Sequence, residues 1–75
     1  MRAFEAHSAD GNLRVVLEEF AFGCYVLDFP IGARTPVRDD LYDDVAQAKH
    51  YCLIDFGISP AAWKPLSDHT FLMKS

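Results

Sequence analysis

Residues 40–57 read DLYDDVAQAKHYCLIDFG, and this stretch constrains the chain more than any other. Leu41, Val45, Ala48, Cys52 and Phe56 recur at steps of four, three, four and four, the period of one helix face. At about 100° per residue they share a broad arc with Tyr42, Ala46 and Leu53, while Asp43, Asp44, Gln47, His50 and Asp55 fall opposite. The spacing predicts an amphipathic helix over 40–56. Asp39 or Asp40 would cap it, and Asp43 and Asp44 would complement the positive end of its dipole. Gly57 would end it in the left-handed conformation. Lys49 falls within the apolar arc, so its stem should lie along the core edge with the ammonium turned to water.

The residues before the helix read as strands. RAFEAH at 2–7 alternates, and Asp10-Gly11 signals a hairpin, because the favoured two-residue turn needs positive φ at both central positions. LRVVLEEF at 13–20 is the second strand. Residues 21–23 turn the chain, and CYVLDF at 24–29 is the third, ended by Pro30. Leu13, Val15 and Leu17, with Tyr25, Leu27 and Phe29, are expected to face the helix. Residues 30–39 hold Pro30, Gly32 and Pro36 and read as a long connection. Ser59 followed by Pro60 starts a single helical turn at 60–63, with Trp63 folded back on the core edge and Pro65 stopping it. Residues 69–73 are a candidate fourth strand, or pack across a neighbouring element. The expected fold is one α+β domain over 1–75, a three-stranded antiparallel meander (with that possible fourth strand) carrying one long helix on one face and a short C-terminal helical turn.

Half of this short chain is hydrophobic, with six Phe, three Tyr and one Trp. A domain of this size buries only about 60% of its surface. One helix over a small sheet cannot hide so much apolar area, so a surface left for a partner or a second copy is expected. The net charge of −4 opposes binding to nucleic acid or to anionic membranes. Two cysteines are too few for a disulfide scaffold, residues 1–12 lack the apolar run of a secretion signal, and no stretch has the length of a membrane span. The expected compartment is the cytoplasm.

Catalytic, cofactor and metal sites are not expected. Asp39, Asp40, Asp43 and Asp44 lack the spacing of a calcium loop, and helix capping accounts for them. Among His7, His50, His69, Cys24 and Cys52 the only close pair is His50 with Cys52, which point about 200° apart on a helix. Cys52 lies in the apolar arc, where a thiol is inert. Cys24 alternates with Tyr25, Leu27 and Phe29, which puts it on the side of the sheet away from Cys52 and argues against a bridge. No phosphate loop, dinucleotide fingerprint or nucleophile elbow occurs.

These readings point to a small non-catalytic interaction module, self-associating as a homodimer. The expected contact is the helix-averse sheet face, with Val16, Phe20, Cys24 and Val26 and with Phe22 at the hairpin tip. Tyr51 and Ile54, outside the helix's apolar arc, form the competing patch. The alternative is an acidic inhibitor, immunity-like or antitoxin-like, steered onto a basic partner protein. A third class, stacking of nucleic-acid bases on Tyr25, Phe22 and Phe29, is opposed by the charge balance.

Overall fold

The computed structural model describes residues 2–66. Strands β1 (Arg2–His7), β2 (Leu13–Phe20), β3 (Gly23–Pro30) and β4 (Arg38–Tyr42) precede the helix α1 (Val45–Phe56). A 3-10 turn (Pro60–Ala62) and strand β5 (Lys64–Leu66) follow it. The strands form one antiparallel sheet in the order β4-β3-β2-β1-β5, and α1 packs on one face. The α+β class and the single packed helix are as expected. Among the described residues the sheet has five strands, because segments at both ends of the expected meander join its edges. The candidate strand at 69–73 lies outside the described residues. Among the described residues no helix is long and apolar enough to cross a membrane.

The β2–β3 turn decides which side chains meet the helix. Phe20 pairs with Gly23, so the turn holds only Ala21 and Phe22. Partners across an antiparallel pair share a face. Leu17 therefore sits with Val26, Val15 with Asp28, and Val16 with Leu27. The helix side carries Val15, Leu17, Cys24 and Val26, and the far side carries Val16, Leu27, Phe29 and Tyr25. Leu13, Val15 and Leu17 do face the helix side, but Tyr25, Leu27 and Phe29 do not. Placing them there assumed a turn one residue longer, and one residue of register moves every side chain to the other face. The same correction brings Cys24 onto the side of Cys52. Both thiols are free and buried in one core cluster.

Between β1 and β2 the chain makes a wider loop than the Asp10-Gly11 signal implies, since the last pair is His7 with Arg14. Only Gly11 has positive φ there. Ser8 Oγ donates to Asp10 Oδ1 and accepts from the Leu13 amide, and Asp10 Oδ1 also accepts from the Asn12 amide. Side chains thus take over the turn's hydrogen bonds.

The helix begins five residues later than its apolar spacing suggests. Residues 38–42 extend along β3 instead, with Tyr42 opposite Cys24 and Leu41 opposite Tyr25. Gly23 permits this approach: a Cβ there would stand 2.6 Å from the Tyr42 carbonyl oxygen. Asp44, rather than Asp39 or Asp40, is the N-cap. Its carboxylate accepts from the Gln47 amide at 2.8 Å, while Gln47 Oε1 accepts from the Asp43 amide at 2.9 Å. This reciprocal pair is close to a capping box. Gly57 ends the helix at φ 68°, as expected, and the Phe56 carbonyl accepts from the Ala9 amide, which ties the β1–β2 loop to the helix end.

Val45, Ala48, Cys52 and Phe56 form the helix's inner stripe. It is narrower than the expected arc, and Leu53 is exposed. Lys49 lies at the core edge, its Nζ 5.2 Å from the centroid of the Phe4 ring. Ser59 caps the 3-10 turn and Trp63 closes the core beyond it. Pro65 then sits in β5 at the sheet edge opposite Phe4, where a missing N–H is tolerated.

Candidate protein-binding surface

Three aromatic rings meet at the β2–β3 hairpin. Phe20 and Phe22 stack with centroids 5.4 Å apart, and Tyr25 presents its edge to both, at 5.9 and 6.1 Å. The two-residue turn causes this, because it brings Phe20 and Tyr25 onto adjacent strands and folds Phe22 back over them. Phe22 nevertheless keeps 66% of its surface exposed. Beside Phe20 runs an open groove of about 490 Å³, lined by Arg2, Glu19, Phe20 and Ala21. Arg2 and Glu19 are ion-paired there, which holds the Glu19 carboxyl below its ordinary pKa.

The apolar surface continues across β4. Leu41 pairs with Tyr25 on the far side and is half exposed. Strand alternation then sends Tyr42 to the helix side. Tyr42 stacks on Tyr51 of α1, with centroids 5.0 Å apart and planes 20° from parallel, and His50 sits edge-on to Tyr51 at 5.7 Å. Ile54, one helical turn on, is 63% exposed. The outward face of α1 carries Tyr51, Leu53 and Ile54, where an ordinary surface helix would be polar. A band from Phe22 through Tyr25 and Leu41 to Tyr42, Tyr51 and Ile54 thus wraps the open edge of the sheet.

Of the six residues singled out for an interface, Phe20, Phe22, Tyr51 and Ile54 belong to this band. Val26 does not, since it lies in the core beneath the helix. Val16 is on the far face and fully buried. Tyr25, Leu41 and Tyr42 are the members that helical spacing hid. Reading 38–42 as alternating strand would have exposed the last two, and counting a two-residue turn would have exposed the first. Phe29 is buried too, so the three-ring stacking platform imagined for nucleic acid does not exist as one exposed surface.

The border of the band is acidic. Asp39, Asp43, Asp44 and Asp55 are exposed, and Asp40 is partly so. Arg38 Nε reaches Asp28 at 3.1 Å and Asp40 at 3.2 Å, and its guanidinium lies 6.0 Å from the Phe56 ring centroid. Asp28 is buried, and among the described residues its Oδ1 has no hydrogen-bond partner. Burial raises its pKa, and Arg38 only partly opposes this. Burial also raises the Tyr42 phenol, with Asp40 adding to it.

Chemistry at the thiols is suppressed. Burial pushes Cys24 up to about 11 and Cys52 up to about 12, so both are protonated at neutral pH and weak nucleophiles. Among the described residues no three His, Cys, Asp or Glu side chains are grouped to hold a metal ion. Compared with protein-family models, with curated proteins and with solved structures, the chain finds no match in any of the three.

Proposed function

We propose that this protein is a small non-catalytic interaction module that binds another protein through the aromatic band. The observation that carries this reading is the exposure of Phe22, Leu41, Tyr51 and Ile54 along one continuous path around a sheet edge. Aromatic side chains with a polar border are the usual composition of a contact surface.

The border favours a basic partner. Residues 37–57 hold five Asp against Arg38 and Lys49, and Lys49 is turned toward Phe4. In a homodimer built on this band, the acids of one copy would face those of the other, and like charges across an interface weaken it. A basic protein meets the same border favourably. This supports the inhibitor-like alternative, in which the domain covers a functional surface of its partner.

Self-association remains the second reading, and it moves from Val16 to the aromatic corner, because Val16 is already buried in one copy. Light scattering at two concentrations and two salt levels separates the two. A dimer that high salt strengthens, and that Phe22→Ser dissociates, supports the second copy. A monomer at all conditions withdraws it and leaves the basic partner. A dimer indifferent to Phe22→Ser, Tyr51→Lys and Ile54→Lys would place the contact elsewhere and overturn the band itself.

A further inference from the structure

Among the described residues, the two edges of the sheet differ. At one edge β5 is three residues long and carries Pro65 at its centre, so it offers little backbone to a further strand. At the other edge β4 pairs with β3 in unbroken register, from Tyr42 opposite Cys24 to Arg38 opposite Asp28, with no bulge and no proline. Alternate residues of such an edge strand turn their N–H and C=O groups away from the sheet. Among the described residues no hydrogen bond from another element meets those groups. Arg38, Asp39 and Leu41 are exposed, so the edge is within reach of a partner.

We infer that β4 is a strand-docking edge, and that its occupant is an extended basic segment of the partner protein, laid antiparallel beside residues 38–42. The inference rests on the proposed reading of the aromatic band as a protein-binding surface. It adds how the partner is held: by backbone hydrogen bonds along the edge, with side chains setting the choice of segment. A strand added about 4.8 Å beyond β4 places its side chains beside those of β4. Opposite Tyr42 and Leu41 they meet apolar surface, the Tyr42–Tyr51 stack on one face and Leu41 with Tyr25 on the other. Opposite Asp40 and Asp39 they meet carboxylates. Arg38 is divided between Asp28 at 3.1 Å and Asp40 at 3.2 Å, and Asp39 has no ion pair among the described residues. The segment that fits reads, from its N-terminus, two apolar residues followed by two basic ones.

A second copy fits this edge poorly. If β4 met the β4 of another copy about a two-fold axis through the middle of the strand, Asp40 would stand opposite Asp40 and Asp39 opposite Leu41. Like charges directly opposite destabilise a strand pair. The acids thus disfavour pairing of the edge with itself and favour a basic strand.

The test presents the full-length protein with a synthetic peptide, Val-Ile-Arg-Arg flanked by Thr on both sides, and with two forms of it N-methylated at one or the other alternate set of amides. The expected result is saturable binding that slows hydrogen exchange at least tenfold at alternate amides of 38–42 and less than twofold at Ala48 and Cys52. Methylating the set that faces β4 should weaken binding at least tenfold, and methylating the other set should change it less than threefold. Asp39→Lys, at an exposed side chain, should weaken the arginine peptide at least threefold and favour its glutamate counterpart. Absence of binding at saturating peptide would overturn the inference. Equal effects of the two methylated forms, or binding that leaves the 38–42 amides unprotected, would overturn strand docking, and if Tyr51→Lys still abolished that binding the band would stand without it. Protection of 38–42 that survives Tyr51→Lys would support the docking edge and count against the band. Protection that rises with protein concentration in the absence of peptide would assign the edge to a second copy and overturn the inference.

Discussion

Tyr42 of the edge strand stacks on Tyr51 of the helix with ring centroids 5.0 Å apart, and this pair joins the sheet edge to the helix surface. It also fixes the helix against β4 on a side where the core stripe does not reach. Replacing Tyr51 with Ala should cost about 1 kcal/mol, the usual worth of an aromatic pair. Tyr51→Phe should cost little, because the stack needs the ring rather than the hydroxyl. Urea unfolding of the two variants checks this, and equal losses would mean that the phenol carries the contribution.

Asp28 is predicted to weaken the fold at neutral pH. Its pKa in the folded state lies above that of the unfolded chain, so the folded state binds its proton more readily. The stabilising effect of that proton is complete below the ordinary carboxylate value, near about 4, and is lost as pH rises through the raised folded value. Asp28→Asn should therefore be at least as stable as the parent at pH 7, with the advantage shrinking as pH falls toward 4. Arg38→Ala should cost on the order of 1–2 kcal/mol at pH 7, since it leaves a buried carboxylate without its cation while Arg38 itself is half exposed. Unfolding free energies of both variants at pH 4 and pH 7 decide the matter.

Both thiols should stay silent in the native protein. With pKa values pushed to about 11 and about 12 and with side chains in the core, Cys24 and Cys52 should resist a thiol reagent at pH 8 for as long as the chain is folded. Two equivalents should react promptly once the protein is unfolded in denaturant without reductant. Fast labelling of either cysteine under native conditions would contradict the packing of Cys52 beneath the helix.

Capping should distinguish the helix start at Val45 from one at residue 40. Asp44→Ala removes the acceptor of the Gln47 amide and should cost about 1 kcal/mol. Asp39→Ala removes an exposed charge in β4 and should change stability by less than about 0.5 kcal/mol. The opposite ranking in thermal unfolding would restore the earlier start.

The elements with strong local signals were legible in the sequence: β1 to β3, the helix body, its stop at Gly57 and the capped turn at Ser59-Pro60. Two local features set the rest. Asp44 followed three residues later by Gln47 is a readable start signal, but the step of four from Leu41 to Val45 masks it by extending the apolar period backward. The faces of β3 depend on whether the turn before it has two residues or three, and Ala21-Phe22 lacks the Asn-Gly chemistry that would announce a two-residue turn. The aromatic band was half visible for the same reasons. Phe20, Phe22, Tyr51 and Ile54 stand out by position, whereas Tyr25, Leu41 and Tyr42 join them only through strand pairing that local periodicity does not encode. β5 is three residues long with a proline at its centre, and only its pairing with β1 makes it a strand.

The most direct test of the band is a photo-crosslinking scan in cells. A photoreactive phenylalanine analogue is placed singly at Phe22, Leu41, Tyr51 and Ile54, and at Ala61 as an exposed control away from the band. The band reading predicts discrete adducts of one common mass at the four positions and none at Ala61. Equal yields at Ala61 and the four band positions, or adducts at Ala61 alone, would contradict it.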